Sequence, residues 1–237
     1  MKKVIYRSET RGNFKNEWLN TSYSFSFADY FDRERMNFGA LRVLNDDIIQ
    51  PAQGFGMHPH DNMEIITIPT SGKLTHKDSM GHQQDISATE VQVMSAGTGL
   101  FHAEFNASLT DEVSLFQIWI LPKKRNIKPS YDQKVFENHN NSDVWQELVS
   151  GDLSNQNVLH INQDAKISRI LIKKDQESEY HLGKGSYGSF IFIVNGQIEL
   201  DNEKFGMRDA IGVYETQNFK FKALIDSYVL NIEVPEG

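Results

Sequence analysis

The hydrophobic and polar positions of the chain follow the two-residue period of β-strands from its first segments onward. Over residues 19–27, aromatic residues alternate with small polar ones, which predicts a half-buried strand. A second short strand is predicted over 38–44, with the polar run 45–47 ending it. Residues 113–121 are almost continuously apolar and predict an interior strand closed by Pro122. Many short strands separated by glycine turns are typical of a β-sandwich or β-barrel.

The second half of the chain repeats the pattern of the first in outline. Such self-similarity indicates two copies of one β-unit. The matching pairs of segments are 71–74 and 195–198, 88–93 and 208–213, and 115–122 and 228–235.

A change of composition separates the two halves. Residues 131–150 are mostly polar, with an asparagine-rich run over 138–141 and one short helix predicted over 143–149. We therefore expect an N-terminal domain over 1–130 and a C-terminal domain over 151–237, joined by this linker.

Composition and charge narrow the function classes. The chain of 237 residues has a formal net charge of −8, which argues against nucleic-acid binding because that requires many lysines and arginines on phosphates. The chain contains no cysteine, so disulfides, thiolate metal sites and cysteine nucleophiles are excluded. It shows neither the apolar core of a signal peptide nor a run of membrane-spanning length, so we expect a cytoplasmic protein.

Two histidines one residue apart are the first candidates for chemistry. His58 and His60 precede a β-branched strand, and they point to the same side because successive side chains of a strand alternate. Further along, His102 and Glu104 share one face by the same rule. If the two segments meet, three imidazoles and one carboxylate converge, which is a donor set suited to a divalent transition metal.

Each of these residues also has a plainer interpretation. A single buried histidine is most often a structural residue hydrogen-bonded to backbone. Burying four ionisable groups together without a cation would carry a heavy desolvation cost, so either they hold a metal or the two segments do not meet. We favour the metal. The remaining five histidines are interpreted as surface or structural residues: His76, His82, His139, His160 and His181.

Residues near the candidate site leave alternatives open. Gln117 and Trp119 share one face of an interior strand, where they either line a pocket or fill the barrel. Phe38, Phe55 and Phe101 are candidate walls for a flat aromatic substrate, although aromatic residues in a small barrel usually belong to its core.

The second half offers no equivalent ligands. We expect the place of His58 and His60 to fall on 186–189, and the place of the second pair on 219–221. Neither segment contains a histidine or a carboxylate. Any metal chemistry therefore belongs to the first half.

The spacing of these residues resembles that of the cupins, which are double-stranded β-helix proteins. The first cupin motif has His-x-His, a glutamate four residues on and a later glycine. The residues at those positions here are His58, His60, Glu64 and Gly72. The second motif ends in a histidine followed four residues later by an asparagine, and the same spacing occurs over 102–106.

A closer resemblance is to the pirin family, whose bacterial members are bicupins similar to this chain over most of 11–122. The distinctive runs are together far more specific than a lone His-x-His. They are SFSFADY (24–30), FGALRV (38–43), HPHDNMEIIT (58–67), HKDSMG (76–81) and SAGTG (95–99).

The resemblance implies an all-β bicupin, with one double-stranded β-helix barrel in each half of the chain. It also implies one mononuclear divalent metal in the N-terminal barrel, usually Fe(II), although such ligands also accept Zn, Mn, Co, Ni or Cu. Carried over residue by residue, the family's metal ligands fall on His58, His60, His102 and Glu104. The general cupin pattern uses Glu64 instead. We follow the closer family and expect Glu64 to orient a ligand.

The resemblance implies a reaction as well. Some pirins are similar to flavonol 2,3-dioxygenases, which cleave the central ring of quercetin with dioxygen and release carbon monoxide. In that scheme Glu104 is both a metal ligand and the catalytic acceptor of the proton of the 3-hydroxyl. The expected partners are a small flavonol-like substrate and dioxygen, without direct contact with nucleic acid or membrane. Two alternatives stay open: a metal- or redox-responsive regulator that binds a protein partner without turnover, and a cupin in which the metal only stabilises the fold.

Overall fold

The computed structural model describes residues 1–137, 144–183 and 187–235. Within these ranges the regular structure is β-strand except for one 3₁₀ turn over Ser8–Thr10, which confirms the all-β prediction. No helix in the same ranges has the length and apolar character needed to cross a membrane.

The strands before residue 138 build the first unit, with the exception of the N-terminal one. They are β1 (Lys2–Tyr6), β2 (Gly12–Lys15), β3 (Leu19–Tyr23), β4 (Leu41–Ile49), β5 (Gly54–His60), β6 (Glu64–Ser71), β7 (Lys73–Asp78), β8 (Gln83–Ser87), β9 (Glu90–Ser95), β10 (Leu100–Asn106), β11 (Val113–Ile120) and β12 (Ser130–Val135).

The strands after residue 143 build the second unit together with β1. They are β13 (Gln146–Ser150), β14 (Leu159–His160), β15 (Lys166–Ile172), β16 (Glu177–His181), β17 (Tyr187–Asn195), β18 (Gln197–Leu200), β19 (Glu203–Gly206), β20 (Ala210–Tyr214), β21 (Asn218–Ala223) and β22 (Ser227–Pro235).

Each unit consists of a seven-stranded and a four-stranded sheet, and the two units repeat one strand order. In the first unit the orders are β12-β9-β6-β11-β4-β3-β2 and β5-β10-β7-β8. In the second they are β1-β20-β17-β22-β15-β13-β14 and β16-β21-β18-β19. The bicupin prediction is confirmed, and the three pairs of repeated segments lie at equivalent places in the two units. The domain boundaries at 130 and 151 stay a prediction.

The repeated turn between β6 and β7, and between β17 and β18, needs glycine in both units. Gly72 has a φ of 72° and Gly196 a φ of 94°, in the left-handed region that favours glycine. A Cβ at Gly72 would lie 2.8 Å from the carbonyl oxygen of Glu112. Backbone conformation and close packing therefore select glycine at this turn, which leads from the seven-stranded sheet to the four-stranded one.

The two seven-stranded sheets pack against each other and form the largest core of the molecule. Leu44 and Phe116 of the first unit share this buried cluster with Phe192 of the second. The rings of Phe116 and Phe192 meet edge to face with centroids 5.4 Å apart. At its margin, Arg208 Nε lies 2.7 Å from Asp46 Oδ2, so an ion pair also joins the units.

Some predicted elements differ from those observed. The strand predicted over 19–27 ends at Tyr23, and the strand predicted over 38–44 begins at Leu41. β4 does not end at 45–47 but continues to Ile49, because β3 and β11 pair with it on both sides over these residues. The helix predicted over 143–149 is also not formed where the chain is described, since 146–150 is β13 and pairs with β15. Pairing with neighbouring strands outweighs local helix propensity here.

The expected counterpart of the first histidine pair needs revision, whereas the linker between the two domains stays a prediction. Of the linker 131–150, the described residues belong largely to β12 and β13, whereas the asparagine-rich run and His139 lie outside the described residues. Of 186–189, residue 186 is likewise not described and the rest belongs to β17, which occupies the place of β6. The counterpart of β5 is β16, because the strand orders align these two.

Candidate metal centre

Strands β5 and β10 bring three histidines together. They pair in antiparallel orientation, with His58 directly opposite His102. The ring centroids lie 4.4 Å apart for His58 and His102, 4.8 Å for His60 and His102, and 4.9 Å for His58 and His60. One ligand nitrogen of each residue lies within 4.8 Å of the others. The two segments therefore meet, as a shared site requires.

A close and irregular strand pairing positions these side chains. A Cβ at Gly54 of β5 would lie 2.2 Å from the carbonyl oxygen of Glu104, so glycine permits the approach. The register shifts between His102 and Glu104, where β5 contributes one extra residue. Such a bulge changes the direction of side chains, and bulges are common beside active sites.

The imidazoles of His60 and His102 are neutral, as metal binding requires. Burial, together with the charges of the neighbouring histidines, lowers the pKa of His60 to about 3 and that of His102 to about 3. Nδ1 of His58 lies 2.8 Å from the carbonyl oxygen of Gly56, and a proton donated there leaves Nε2 as the free nitrogen. Nε2 of His102 is buried and has no hydrogen-bond partner within the described ranges. A metal would satisfy this nitrogen.

Glu104 is buried beside the histidines and held by two side chains. Its Oε2 accepts a hydrogen bond from Nε2 of Gln117 at 2.9 Å, and its Oε1 accepts one from Oγ1 of Thr67 at 3.4 Å. Burial raises the pKa of Glu104, against the opposing effect of His76. A carboxylate oxygen of Glu104 falls within 4.8 Å of a ligand nitrogen of His76 and of His102. The carboxylate of Glu104 therefore lies within this distance of His102, whereas His58 and His60 form their group with His102 and without Glu104.

A row of polar side chains in contact with one another continues from His102 away from the cavity. Nδ1 of His102 lies 3.5 Å from Nδ1 of His76, whose Nε2 lies 3.4 Å from Oδ2 of Asp78. Nδ1 of His82 lies 2.8 Å from the same oxygen, and Tyr131 stacks on both His76 and His82. If Nε2 of His102 binds a metal, its Nδ1 carries the proton and donates it to His76, which fixes the tautomers along the chain.

The remaining histidines differ in position. His76 is fully buried and contacts a predicted ligand, so of the two interpretations given to it, surface or structural, only the structural one applies. The signal for this was the alternation of β7, in which Leu74, His76 and Asp78 are the buried positions. His181 is exposed at the end of β16.

Glu64 does not orient a metal ligand through a hydrogen bond. Its Oε2 accepts hydrogen bonds from Oγ of Ser95 at 2.5 Å and from the backbone N–H of Asn162 at 3.2 Å. The expected orienting role is not seen because the chain turns between β5 and β6, with Asn62 at a φ of 46°, so Glu64 and His60 lie on different strands. Glu64 instead ties β6 to β9 and to the second unit.

A cavity of about 840 Å³ opens beside the three histidines and Glu104. Gln117 and Trp119 line it, so the first of their two interpretations holds. Phe55 is also a wall residue, whereas Phe38 packs on the core between the units and Phe101 is half exposed. The aromatic residues that line the cavity are Phe14, Trp18, Tyr23, Phe27, Tyr30, Phe55 and Trp119.

Sequence reasoning missed three polar residues of the cavity wall. Asn45 and Asp47 on β4 and Thr21 on β3 are buried and line the cavity. Asn45 lies directly opposite Gln117, which holds Glu104. The local sequence contains no signal for them, because Leu44 is buried beside Val43 and Asn45 and so interrupts the alternation of β4, and the polar run 45–47 is typical of a strand end.

Two cupin units, with a nitrogen- and oxygen-rich candidate metal centre in the first, define a bicupin of the metal-binding class. Comparisons with known proteins agree with this class. The family description "Pirin" matches residues 6–120, and "Quercetinase C-terminal cupin domain" matches 136–234.

Individual relatives match over nearly the whole chain. Quercetin 2,3-dioxygenase of Escherichia coli K12 is 36% identical over 234 residues, which cover 98% of this chain and 99% of that protein. A putative quercetin 2,3-dioxygenase of Pseudomonas aeruginosa is 40% identical, with 94% and 95% covered. The crystal structure of the bacterial pirin YhhW of Escherichia coli in complex with nickel(II) superposes with a TM-score of 0.93 at 35% identity, with 100% of both chains covered. The chain belongs to the pirin family.

Proposed function

We propose that this protein is a metal-dependent dioxygenase that cleaves the central ring of a flavonol such as quercetin. The proposed mononuclear site consists of His58, His60, His102 and Glu104. The observation that carries the proposal is the cavity of about 840 Å³, which joins these four donors to aromatic walls. Its volume is in the usual range for a site that encloses a small organic molecule. Relatives that carry the name quercetin 2,3-dioxygenase support the substrate class. A cytoplasmic location stays a prediction from the sequence.

The donor set fits one divalent transition metal. Three neutral imidazoles and a carboxylate suit Fe(II), which we propose, as well as Zn, Mn, Co, Ni or Cu. The buried, unpartnered Nε2 of His102 agrees with a metal at this point. When bound, such an ion acidifies a coordinated hydroxyl and supplies the redox chemistry that dioxygen requires.

Glu104 is proposed to accept the proton of the flavonol 3-hydroxyl. Burial raises its pKa, so the carboxylate takes up a proton more readily than an exposed glutamate does. The hydrogen bond from Gln117 Nε2 to Oε2, 2.9 Å long, holds the group in place before the reaction.

The aromatic walls are proposed to orient the flat substrate and to exclude water. Phe55 and Trp18 meet edge to face with ring centroids 5.2 Å apart, and Trp119 packs edge to face on His60 at 4.8 Å. Rings fixed in this way present a preformed apolar slot, and a planar aromatic ligand loses little freedom on entering it.

The test is a turnover measurement with protein loaded anaerobically with Fe(II). On mixing with quercetin and dioxygen, we expect loss of the flavonol absorbance and release of one carbon monoxide per flavonol consumed. Glu104→Gln should lower the rate by roughly 10² or more, since that is the usual contribution of a positioned base. Glu215→Gln, which changes an exposed carboxylate of the second unit, should have no effect.

The outcomes separate this proposal from the alternatives. If the fully loaded wild-type protein consumes no flavonol, the dioxygenase proposal is wrong, and a regulatory or purely structural metal becomes the better explanation. If Glu104→Gln retains both metal and full turnover, the assignment of Glu104 as proton acceptor is wrong while the activity stands.

A further inference from the structure

The carboxylate of Asp78, at the far end of the row behind His102, accepts hydrogen bonds on both of its oxygens. Its Oδ1 lies 2.9 Å from the backbone nitrogen of Met80 and 3.0 Å from that of His82. Its Oδ2 lies 2.8 Å from Nδ1 of His82 and 3.4 Å from Nε2 of His76. Burial alone would raise the pKa of Asp78, but the hydrogen bonds from His82 and His76 outweigh it and lower that pKa. Asp78 is therefore an anion that only accepts hydrogen bonds.

The order of donors in the row follows from this anion. A neutral imidazole has one N–H and one unprotonated nitrogen, and burial lowers the pKa of His76, so this residue is neutral. Nε2 of His76 faces Asp78 and must donate, which leaves its Nδ1 unprotonated. Nδ1 of His102 lies 3.5 Å from that nitrogen and is the atom that donates to it. Nε2 of His102 is then left with its lone pair.

The surroundings of Nε2 of His102 agree with this order. The nitrogen is buried, and none of the described residues forms a hydrogen bond with it. A proton there would be a buried donor without an acceptor, and it would block metal binding. His58 is held in the same tautomer by a backbone group, since its Nδ1 lies 2.8 Å from the carbonyl oxygen of Gly56. For His102, the partner of Nδ1 is an imidazole instead of a carbonyl group.

Tyr131 keeps the two histidines beside Asp78 in their orientations. Its ring stacks on His76 with centroids 4.8 Å apart and an interplanar angle of 30°. It also stacks on His82, at 4.9 Å and 20°. Rotation of either imidazole by half a turn would exchange its two nitrogens, but the ring would have to leave this stack to do so. The nitrogen that faces Asp78 is therefore fixed in both residues.

We propose that Asp78 is the positioning residue that sets the tautomer of His102, acting through His76. The inference rests on the proposed function for the presence of a metal at His102, and it gives the row the task of keeping Nε2 of His102 unprotonated. Carboxylates commonly fix the tautomer of an imidazole that binds a metal or transfers a proton, through a direct hydrogen bond. Here a second imidazole lies between the carboxylate and the ligand.

Asp78→Asn exchanges one oxygen for an NH2 group and should reverse the order of donors. The backbone N–H groups of Met80 and His82 require an oxygen at the position of Oδ1, so the amide nitrogen takes the position of Oδ2. There it donates to Nε2 of His76, whose own proton moves to Nδ1. Nδ1 of His102 must then accept, and its proton moves to Nε2. The ligand nitrogen is blocked without any change in its surroundings.

The first test is nitrogen-15 NMR of the metal-free protein at mildly alkaline pH, because the chemical shift of a ring nitrogen shows whether it carries a proton. In the wild-type protein we expect the proton on Nδ1 of His102 and on Nε2 of His76. Asp78→Asn should move both protons to the other nitrogen. Asp85→Asn, which changes an exposed carboxylate of β8 in the same sheet, should keep the wild-type tautomers.

A second variant keeps the test decisive if Asp78→Asn does not fold. His76→Phe interrupts the row between Asp78 and His102, so His102 should become a mixture of both tautomers. An unchanged single tautomer of His102 in that variant would overturn the inference.

The second test is competition for Zn(II) with a chelator of known affinity. Asp78→Asn should weaken zinc binding by about 10–100-fold, which is the usual effect of a residue that orients a metal ligand. Asp85→Asn should leave zinc binding unchanged. Weaker zinc binding in Asp78→Asn with the proton of His102 still on Nδ1 would mean that Asp78 acts through its charge alone, and would overturn the inference.

A proton on Nε2 of His102 in the wild-type protein would overturn the inference as well. Failure of the proposed function gives a different result. In that case the Fe(II)-loaded wild-type protein consumes no flavonol, while the tautomers and the zinc affinity still change in Asp78→Asn as described.

Discussion

The two units of this chain share one strand order, but the interior of the first contains polar side chains and a cavity, whereas the interior of the second is apolar and filled. Strands β5 and β10 of the first unit carry three histidines and Glu104 beside a cavity. The equivalent strands β16 and β21 of the second unit carry Tyr180, Phe219 and Phe221, which belong to a buried apolar cluster. Tyr180 and Phe219 stack with ring centroids 5.5 Å apart. One scaffold therefore supports either a site or a filled core, according to which side chains point inward.

The difference has an energetic consequence. The second unit buries a continuous cluster that includes Phe205 and Leu200, whereas the interior of the first has two smaller clusters at either side of its cavity. The first unit gains packing from the large core that it shares with the second. We infer that packing against the second unit stabilises the first. This stabilisation offsets the free-energy cost of burying polar side chains in the first unit.

Mutation of a metal ligand is expected to show the largest difference in effect between the two units. His102→Ala should lower metal affinity by more than two orders of magnitude, since loss of a mere supporting residue already costs about 10–100-fold. Tyr180→Phe, on the strand of the second unit that is equivalent to β5, should leave metal content unchanged. Metal analysis after dialysis measures both. Full metal content in His102→Ala would contradict the proposed site.

Truncation of one large side chain in each interior should have unequal effects. Phe205 is fully buried, so Phe205→Ala should lower the free energy of unfolding by about 3–5 kcal/mol without changing metal content. Phe55 borders the cavity, so Phe55→Ala should cost roughly 1 kcal/mol and act mainly on the KM for flavonol. Denaturant unfolding and steady-state kinetics give the two readouts. Equal losses of stability would argue against a hollow first unit.

The pH dependence of stability should reveal the free-energy cost of burying the carboxylate of Asp47. Its pKa is raised from 3.8 to about 7 in the folded protein, so the unfolded chain releases this proton first as pH rises. The stability that protonated Asp47 contributes is fully present below pH 4 and is lost as the pH rises to 7 or 8. The loss in the free energy of unfolding is at most about 4 kcal/mol. Asp47→Asn should therefore raise Tm at pH 8 but not at pH 4. The same shift in Tm at both pH values would contradict a raised pKa.

The buried chain behind His102 should tune metal binding more gently. His76→Leu removes the group 3.5 Å from Nδ1 of His102 and should weaken metal affinity by about 10–100-fold. His181→Gln, on an exposed histidine of the second unit, serves as the matched control. Competition with a chelator of known affinity measures both. An unchanged affinity in His76→Leu would show that His76 only fills space.

The sequence predicts those features that depend on local pattern. The all-β class and the shared face of His58 and His60 follow from the two-residue period of a strand. The meeting of β5 with β10 needs a pairing between distant segments, which the resemblance to a family indicates but the local pattern does not. The polar residues Asn45 and Asp47 look like the end of a strand, because only the cavity beside them explains why they are buried within one.

Features that depend on turns and distant packing are the ones that local reasoning gets wrong. The expectation that Glu64 orients a metal ligand rests on its four-residue spacing from His60, but the turn at Asn62 puts the two residues on different strands. The alternation of β7 already indicates that His76 is buried, but its contacts with β10 and Tyr131 join segments that are distant in sequence. Spacing along the chain does not contain either contact.

The most direct test of the account is anomalous diffraction at the iron edge, from crystals of the protein reconstituted anaerobically with Fe(II). We predict one peak per chain, in the first unit, within bonding distance of His58, His60 and His102 and bound by Glu104, with none in the second unit. A peak elsewhere, a peak in each unit, or no peak in fully reconstituted protein would contradict the central claim that the hollow unit holds the single metal.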